Sequence, residues 1–364
     1  MLRWLPAEAW QRMSRRSNPP VGAHLLIALA DHFEPAILPG QPGQFADHSE
    51  QERRLERWCR EIPRLLDRWR DADGFPFRHT YFYPAEQYDQ ALIERLAAHC
   101  KAGWGETEIH LHHGTRSPDT AEHTRSVLVE FRDALAAQGC LAHLDGKGEA
   151  RYAFVHGNWA LANSWRAACG VDEEMQILAE TGCYADFTLP SAPHPAQIAK
   201  INSLYECALP LDRRAPHRRG IDLKRGRPPR VFPLIVQGPL LLRSSPPRGI
   251  WRPRIENSEI TSRNPPTVER LQQWCWAGIS VRGRPDWLFI KLHCHGMDPR
   301  DDEAMLGAGM REFLERLTGE GKKDGAFTAH FVTAREMVNI ALAACDGREG
   351  NPGDYRNYRL HQDR

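Results

Sequence analysis

The chain is poor in lysine: 7 Lys stand against 41 Arg and 17 His in 364 residues. Charge of one sign is missing too. Lys+Arg and Asp+Glu balance at 48 to 47, a net charge of +1, and without a basic excess the composition argues against a dedicated nucleic-acid binder. No segment approaches the ~20 consecutive apolar residues of a transmembrane helix, and the best apolar run, His24 to Ala30, is of strand length. The opening residues lack the apolar core of roughly 7–15 residues that marks a secretory signal. None of the 9 Cys is spaced C-x-x-C. That excludes a zinc ribbon and fits a reducing, cytoplasmic setting better than a disulfide scaffold. Internal repeats and low-complexity tracts are absent. The 41% apolar content is enough for a core and excludes wholesale disorder.

Alternation of strand-like and helix-like segments fills most of the chain. Residues 1–20 read as an N-terminal extension. In it Trp4, Leu5, Trp10 and Met13 alternate with Arg3, Arg12, Arg15 and Arg16, the pattern of a short amphipathic helix that covers the core or touches a membrane surface; covering the core is the expectation. Ala23 to Ala30 predicts a buried strand, broken by Pro35 and the Pro39/Pro42 pair. Ser49 to Arg70 predicts a helix from Leu55, Trp58, Ile62, Leu65, Leu66 and Trp69 at helical spacing. Strands follow at Thr80–Tyr83, Thr107–His112, Tyr152–Val155 and Tyr184–Leu189, with Phe232–Gln237, Trp287–Leu292 and Thr328–Val332 later. Helices are predicted over Gln87–Cys100, Ala121–Gln138, Glu173–Glu180, Glu303–Leu317 and Thr333–Ala344. Asp119 and Glu122 form a candidate capping box for the second of these. Residues near 209–264, dense in Pro and Arg, read as a long irregular excursion, and 346–364 as a C-terminal tail. The basic run Arg213 to Arg230 reads as a solvated loop. Such alternating units, with polar residues where strands end, predict one α/β domain over residues 21–345 with a parallel sheet or barrel.

The chemistry-bearing residues gather at those strand ends. In Glu108-Ile109-His110-Leu111-His112-His113-Gly114, alternate residues share a face, so His110 and His112 point together while Ile109 and Leu111 pack. Two imidazoles on one face at a strand end suit a metal, and His113 adjoins them. Lys291-Leu292-His293-Cys294-His295-Gly296 repeats the pattern at another strand end. Asp31, followed by His32 and Glu34, offers a carboxylate as metal ligand or general base. His156-Gly157-Asn158-Trp159 and Asp186 are candidates to shape a substrate pocket, and Tyr81, Tyr83 and Glu86 form a similar rim candidate.

The order of these elements resembles the polysaccharide deacetylase family. Ala30-Asp31-His32 stands where that family carries an Asp pair, one base and one metal ligand. Glu108-Ile109-His110-Leu111-His112 matches the first half of its Glu-Ile/Val-Gly-x-His-x-x-x-His motif, which puts His112 on the first metal-ligand position. Leu292-His293-Cys294-His295 contains its Leu-x-His motif, so that His293 or His295 takes the acid role. Arg116 lies where the second metal His falls, leaving His110 or His113 to substitute, and His156-Gly157-Asn158-Trp159 replaces the family's Arg-x-Pro-Tyr. The resemblance covers roughly residues 20–340. It implies a deformed (β/α) barrel of about seven strands and a divalent metal, zinc by default, held by Asp31, His32, His110, His112 or His113.

The implied reaction is hydrolysis of the N-acyl group of a sugar or similar small-molecule amide. Asp31 would be the base and His293 or His295 the acid, with Glu34, Tyr83, His156, Asn158, Trp159 and Asp186 against the substrate. A glycoside hydrolase on the same barrel, or a carbohydrate-binding barrel without activity, are the competing readings.

Overall fold

The computed structural model describes residues 2–15, 20–41, 43–245, 252–324 and 326–362; Arg16, Pro42 and part of the Pro/Arg-rich segment lie outside them. In chain order the strands are β1 (Ala23–His32), β2 (His79–Pro84), β3 (Gly105–Leu111), β4 (Ala142–Leu144), β5 (Lys147–His156), β6 (Cys183–Asp186) and β7 (Leu204–Cys207). They continue with β8 (Gly220–Asp222), β9 (Leu234–Val236), β10 (Leu241–Ser245), β11 (Arg252–Glu256), β12 (Trp287–Cys294), β13 (Phe327–Phe331) and β14 (Leu360–Gln362). The helices are α1 (Leu5–Ser14), α2 (His48–Leu66), α3 (Gln90–His99), α4 (Ala121–Ala137), α5 (Glu174–Glu180), α6 (Val268–Trp276), α7 (Asp302–Leu306), α8 (Ala308–Asp324) and α9 (Ala334–Cys345).

A large, mostly parallel sheet runs in the order β12-β1-β2-β3-β5-β6-β9-β7-β8. On one edge β1 pairs with β12 along most of its length; its other edge is shared, β13 taking Ala23 to Ile27 and β2 taking Leu29 to His32. The α/β class is therefore as expected, but the sheet has 12 strands rather than about seven. Among the described residues no strand pairing closes it into a ring: β12's free edge meets the segment around Ser258 to Ile260 and the Ile279 carbonyl. The segment near 209–264 is less irregular than expected. Besides the strand expected at Phe232–Gln237, which is β9, it supplies β8 to the sheet and the β10–β11 pair. Its short strands hide among prolines because the sheet on either side, not their own pattern, holds them.

The central strands are buried on both faces, and the side each residue packs on alternates along the strand. On β1, Leu25, Ile27 and Leu29 pack into the helix layer with Leu55, Trp58 and Ile62, while Leu26, Ala28 and Ala30 face the concave side with Phe82, Val155 and Phe289. The same parity puts Ile109 and Leu111 of β3, Tyr81 and Tyr83 of β2, and Ile290 and Leu292 of β12 among the helices. Helix α1 buries Trp4 against Ala192, Ile201 and Leu240, so the extension covers the core as expected. The predicted capping box at α4 is replaced: Thr120 is the N-cap, accepting from the His123 amide. Asp119 instead accepts from the Thr120 amide and bonds the rings of His113 and His123. The single late helix expected from Glu303 is two, α7 and α8, divided at Gly307. No described helix is long and apolar enough to cross a membrane.

Candidate metal centre

Parity separates the residues that sequence spacing had grouped. His32 follows Ala30 onto the concave face and Asp31 follows Leu29 onto the other. Asp31 accepts from the Gly296 amide at 2.7 Å and pairs with His79 Nδ1 at 2.9 Å, fully buried. It does not join the histidines. Tyr83 is likewise turned into the helix layer, its hydroxyl donating to the Gln87 carbonyl. His113 and His156 meet behind the sheet. On the concave side the structure brings together His32, His110, His112, His293, His295, Glu34 and Trp159. The His32 ring lies 4.8 Å from His295, 4.9 Å from His110 and 5.1 Å from Trp159, centroid to centroid. Trp159, held at φ 60°, also stands 5.5 Å from His293.

Hydrogen accounting identifies what this group lacks. His110 Nδ1 lies 3.0 Å from the Val155 carbonyl, an acceptor only, so Nδ1 carries the proton. His112 Nδ1 donates to Glu86 Oε1 at 2.7 Å in the same way. The neutral rings then present Nε2 lone pairs, and both meet the same atom, Glu34 Oε1, at 3.1 Å. Protons resolve only half of this conflict. Burial pulls the His112 imidazole down, but Glu34 and Glu86 outweigh it and raise its pKa to about 10. Burial, then His112, hold His110 below its usual value, leaving a lone pair against a carboxylate.

A divalent cation would satisfy all three groups. The ligand atoms lie within 4.8 Å of one another, and donors about 2.1 Å from one ion are separated by roughly 3.0–3.4 Å. The Val155 carbonyl and Glu86 play the outer part that metal-bound imidazoles use to fix tautomer and orientation. Glu34 was expected against substrate rather than as a donor. The signal for it was there: Glu34 lies two residues beyond His32, and the alternation runs on past the strand.

Two other buried histidine groups carry compensating charges of their own. His113 donates Nδ1–H to Asp119 at 3.0 Å and Nε2–H to Glu174 at 2.8 Å; burial opposes its charge, but Glu174 and Asp119 raise its pKa well above normal. His156 accepts the Asn158 amide at Nδ1, while its buried Nε2 has no hydrogen-bond partner, Glu174 Oε1 lying 3.7 Å away. Cys169 completes this cluster, 3.8 Å from His113 Nε2. Around Asp71, Asp73 and His330 the Arg356 guanidinium supplies the positive charge. Cys169, Glu174 and His79 were missed by the sequence reading, since only folding brings their segments to these histidines.

Deeper on the concave side sit Asp186 and Lys291. Burial raises the Asp186 carboxyl to about 7 against its hydrogen bonds from Thr188. Burial also lowers the Lys291 ammonium to about 7, opposed by Asp186. Asn158 Nδ2 donates to the His113 carbonyl at 2.7 Å and pins the turn that carries Trp159. Beside the metal donors, a cavity of about 620 Å³ opens against His112 and Glu86 and is walled by Tyr88, Arg116 and Phe131. No protein-family model matches the chain and no curated protein matches it.

Gly157 sets the tolerance of the centre. A Cβ there would lie 2.3 Å from His112 Cδ2, against a ring already pinned by two carboxylates. Gly157→Ala is expected to weaken divalent-metal affinity by about 10–100-fold, as loss of a ligand's support does. Titration against a chelating dye measures this, and wild-type affinity would show that His112 is not a ligand.

Proposed function

We propose that the chain is a divalent-metal-dependent hydrolase of N-acyl sugars or similar small-molecule amides, on a deformed barrel of the deacetylase type, with the ion on Glu34, His110 and His112. The observation that carries it is the convergence of two imidazole Nε2 atoms on one carboxylate oxygen, Glu34 Oε1, each at 3.1 Å. A divalent ion bound there polarises an acyl carbonyl and makes water a stronger acid near neutral pH. The N and O donors suit zinc first and other divalent ions as well.

The chain's own residues supply the proton transfers. His32 presents a buried Nε2 with no hydrogen-bond partner beside His110 and His295 and is placed to accept a hydrogen bond from the reacting water. His295 stands 4.8 Å from it, centroid to centroid, and hands a proton to the leaving amine. Trp159 walls the same end, keeping water out and orienting the amide. Asp31 is a positioning residue: by holding the Gly296 amide it fixes the turn that carries His295. Glycoside cleavage is disfavoured because it needs two available carboxylates. Asp31 is turned away, Glu34 faces two imidazoles, and Glu86 holds His112. All nine cysteines are free, which suits a reducing compartment such as the cytoplasm.

The test compares metal-free chain with chain loaded with zinc, cobalt or manganese on N-acetylated oligosaccharides, measuring acetate released. Metal-dependent release is expected, reduced about 1,000-fold in His112→Ala. A chain that takes up no stoichiometric ion, or a His112→Ala variant with an unchanged rate, overturns the proposal.

A further inference from the structure

Four of the most exposed large apolar side chains belong to the first 21 residues: Leu2, Trp10, Met13 and Val21, from 53% to 94% exposed. Trp10 and Met13 are three residues apart on α1 and so share its outer face. The helix is not loose. Its inner face buries Trp4, Gln11 Nε2 donates to the Ile201 carbonyl at 3.0 Å, Arg12 Nη2 to the Leu242 carbonyl at 2.7 Å, and Arg15 Nη2 to the Asn202 carbonyl at 3.0 Å. Trp10 and Met13 are therefore displayed on a fixed support rather than waiting for an inner site to fold into.

Charge flanks this apolar ridge on both sides. A cavity of about 240 Å³ on one side is lined by Arg12, Arg15 and Arg243 with Glu8, and one of about 830 Å³ on the other by Arg15, Lys200 and Arg282 with Asp222. Arg12 pairs with Glu8, and Lys200 and Arg282 both pair with Asp222, so five cations against two carboxylates leave a local positive excess in a chain whose net charge is +1. An exposed tryptophan and methionine with cations on either side match the boundary of an anionic lipid bilayer. There aromatic rings sit at headgroup depth and Lys/Arg add attraction. A stable protein partner fits less well, because such interfaces bury about 800 Å² a side and this ridge offers two large apolar side chains on a helix of 10 residues.

We propose that α1 seats this protein on anionic membrane surfaces, Trp10 and Met13 entering the headgroup layer while the positive excess of Arg12, Arg15, Arg243, Lys200 and Arg282 over Glu8 and Asp222 attracts lipid phosphates. The site lies apart from the histidines and does not depend on the hydrolase reading.

The test is co-sedimentation of the full chain with phosphatidylcholine vesicles made with or without phosphatidylglycerol. Partition onto the anionic vesicles is expected to exceed that onto neutral ones by about tenfold and to fall with added salt. The double variant Trp10→Ser/Met13→Ser, at exposed positions that leave Trp4 in place, should lose about tenfold while keeping wild-type circular dichroism. Equal partition onto both vesicles, or an unchanged double variant, overturns the proposal. So does concentration-dependent self-association without vesicles that the same variant abolishes, since the ridge would then be a protein interface.

Discussion

Glu34→Gln is expected to yield a stable, metal-free and inactive protein. Gln keeps the size of Glu and one carbonyl oxygen, but it exchanges the other oxygen for an amide that donates. In the wild type, Glu34 Oε1 lies 3.1 Å from both the His110 and the His112 Nε2, and nothing but an ion or added protons reconciles them. An amide NH₂ at that place donates to an Nε2 lone pair directly, so the variant satisfies the pocket without an ion. Removing a buried acceptor–acceptor conflict should raise metal-free stability by about 1 kcal/mol, while the loss of the anionic donor lowers metal affinity by at least about 100-fold. Two measurements check this. Metal analysis after dialysis should find one equivalent in the wild type and in Cys169→Ser, and none in Glu34→Gln. Thermal denaturation should respond to a chelator in the wild type only. A Glu34→Gln protein that keeps a stoichiometric ion would remove Glu34 from the centre, and a second equivalent lost in Cys169→Ser would show that the His113 cluster also binds metal.

How far the sequence led can be seen at three places. On β3 the pattern was legible, because Ile109 and Leu111 alternate with His110 and His112, and one face had to pack. On β1 it was not. Leu25, Leu26, Ile27, Leu29 and the alanines between them are apolar on both faces, as in any strand covered on both sides. Nothing local says whether Asp31 or His32 turns inward. Small residues decide it: Ala28 and Ala30 leave room on the concave side, while the leucines fill the helix layer. Glu34 was named, but as a substrate contact, because the carboxylate next to a strand end draws more notice than one beyond it.

The third place is the wall behind the centre. His113 and His156 were visible as strand-end histidines, yet what they bind comes from elsewhere in the chain. Glu174 opens α5, and Cys169 lies in a loop that packs its backbone on Gly114; a Cβ at Gly114, where φ is 63°, would lie 1.9 Å from the Cys169 carbonyl oxygen. Contacts of that sort follow from the completed sheet and carry no spacing signal. The sheet order has the same origin: the split edge of β1 and the three-residue β9 depend on pairing partners far along the chain.

Arg356→Met is expected to destabilise the fold by about 3–5 kcal/mol, the cost of removing one partner from a buried ion network. Arg356 is 4% exposed. Its Nη2 donates to Asp71 at 2.7 Å and Asp73 at 2.9 Å, and its Nη1 to Glu336 at 3.1 Å and to the Phe331 carbonyl at 2.5 Å. That one side chain joins the turn after α2, the end of β13 and the first turn of α9. Arg78 also reaches Glu336, at 2.5 Å. Methionine fills much of the same space but leaves carboxylates buried with less compensation, so denaturant midpoints should fall without a change in the slope of the transition. The same network gives the pH dependence its sign. Burial pushes the Glu336 carboxyl up, but Arg78, Arg356 and Arg335 more than offset this and bring it from 4.5 down to about 2. A depressed carboxylate stabilises the folded state fully above its unfolded pKa and loses that contribution as pH falls through the folded one. Wild-type stability should therefore fall as pH drops from roughly 4.5 towards 2 on this account, and Glu336→Gln, less stable at neutral pH, should lose less over that interval. Parallel acid titrations of the two proteins would contradict the assignment, because the proton uptake would then belong to other carboxylates.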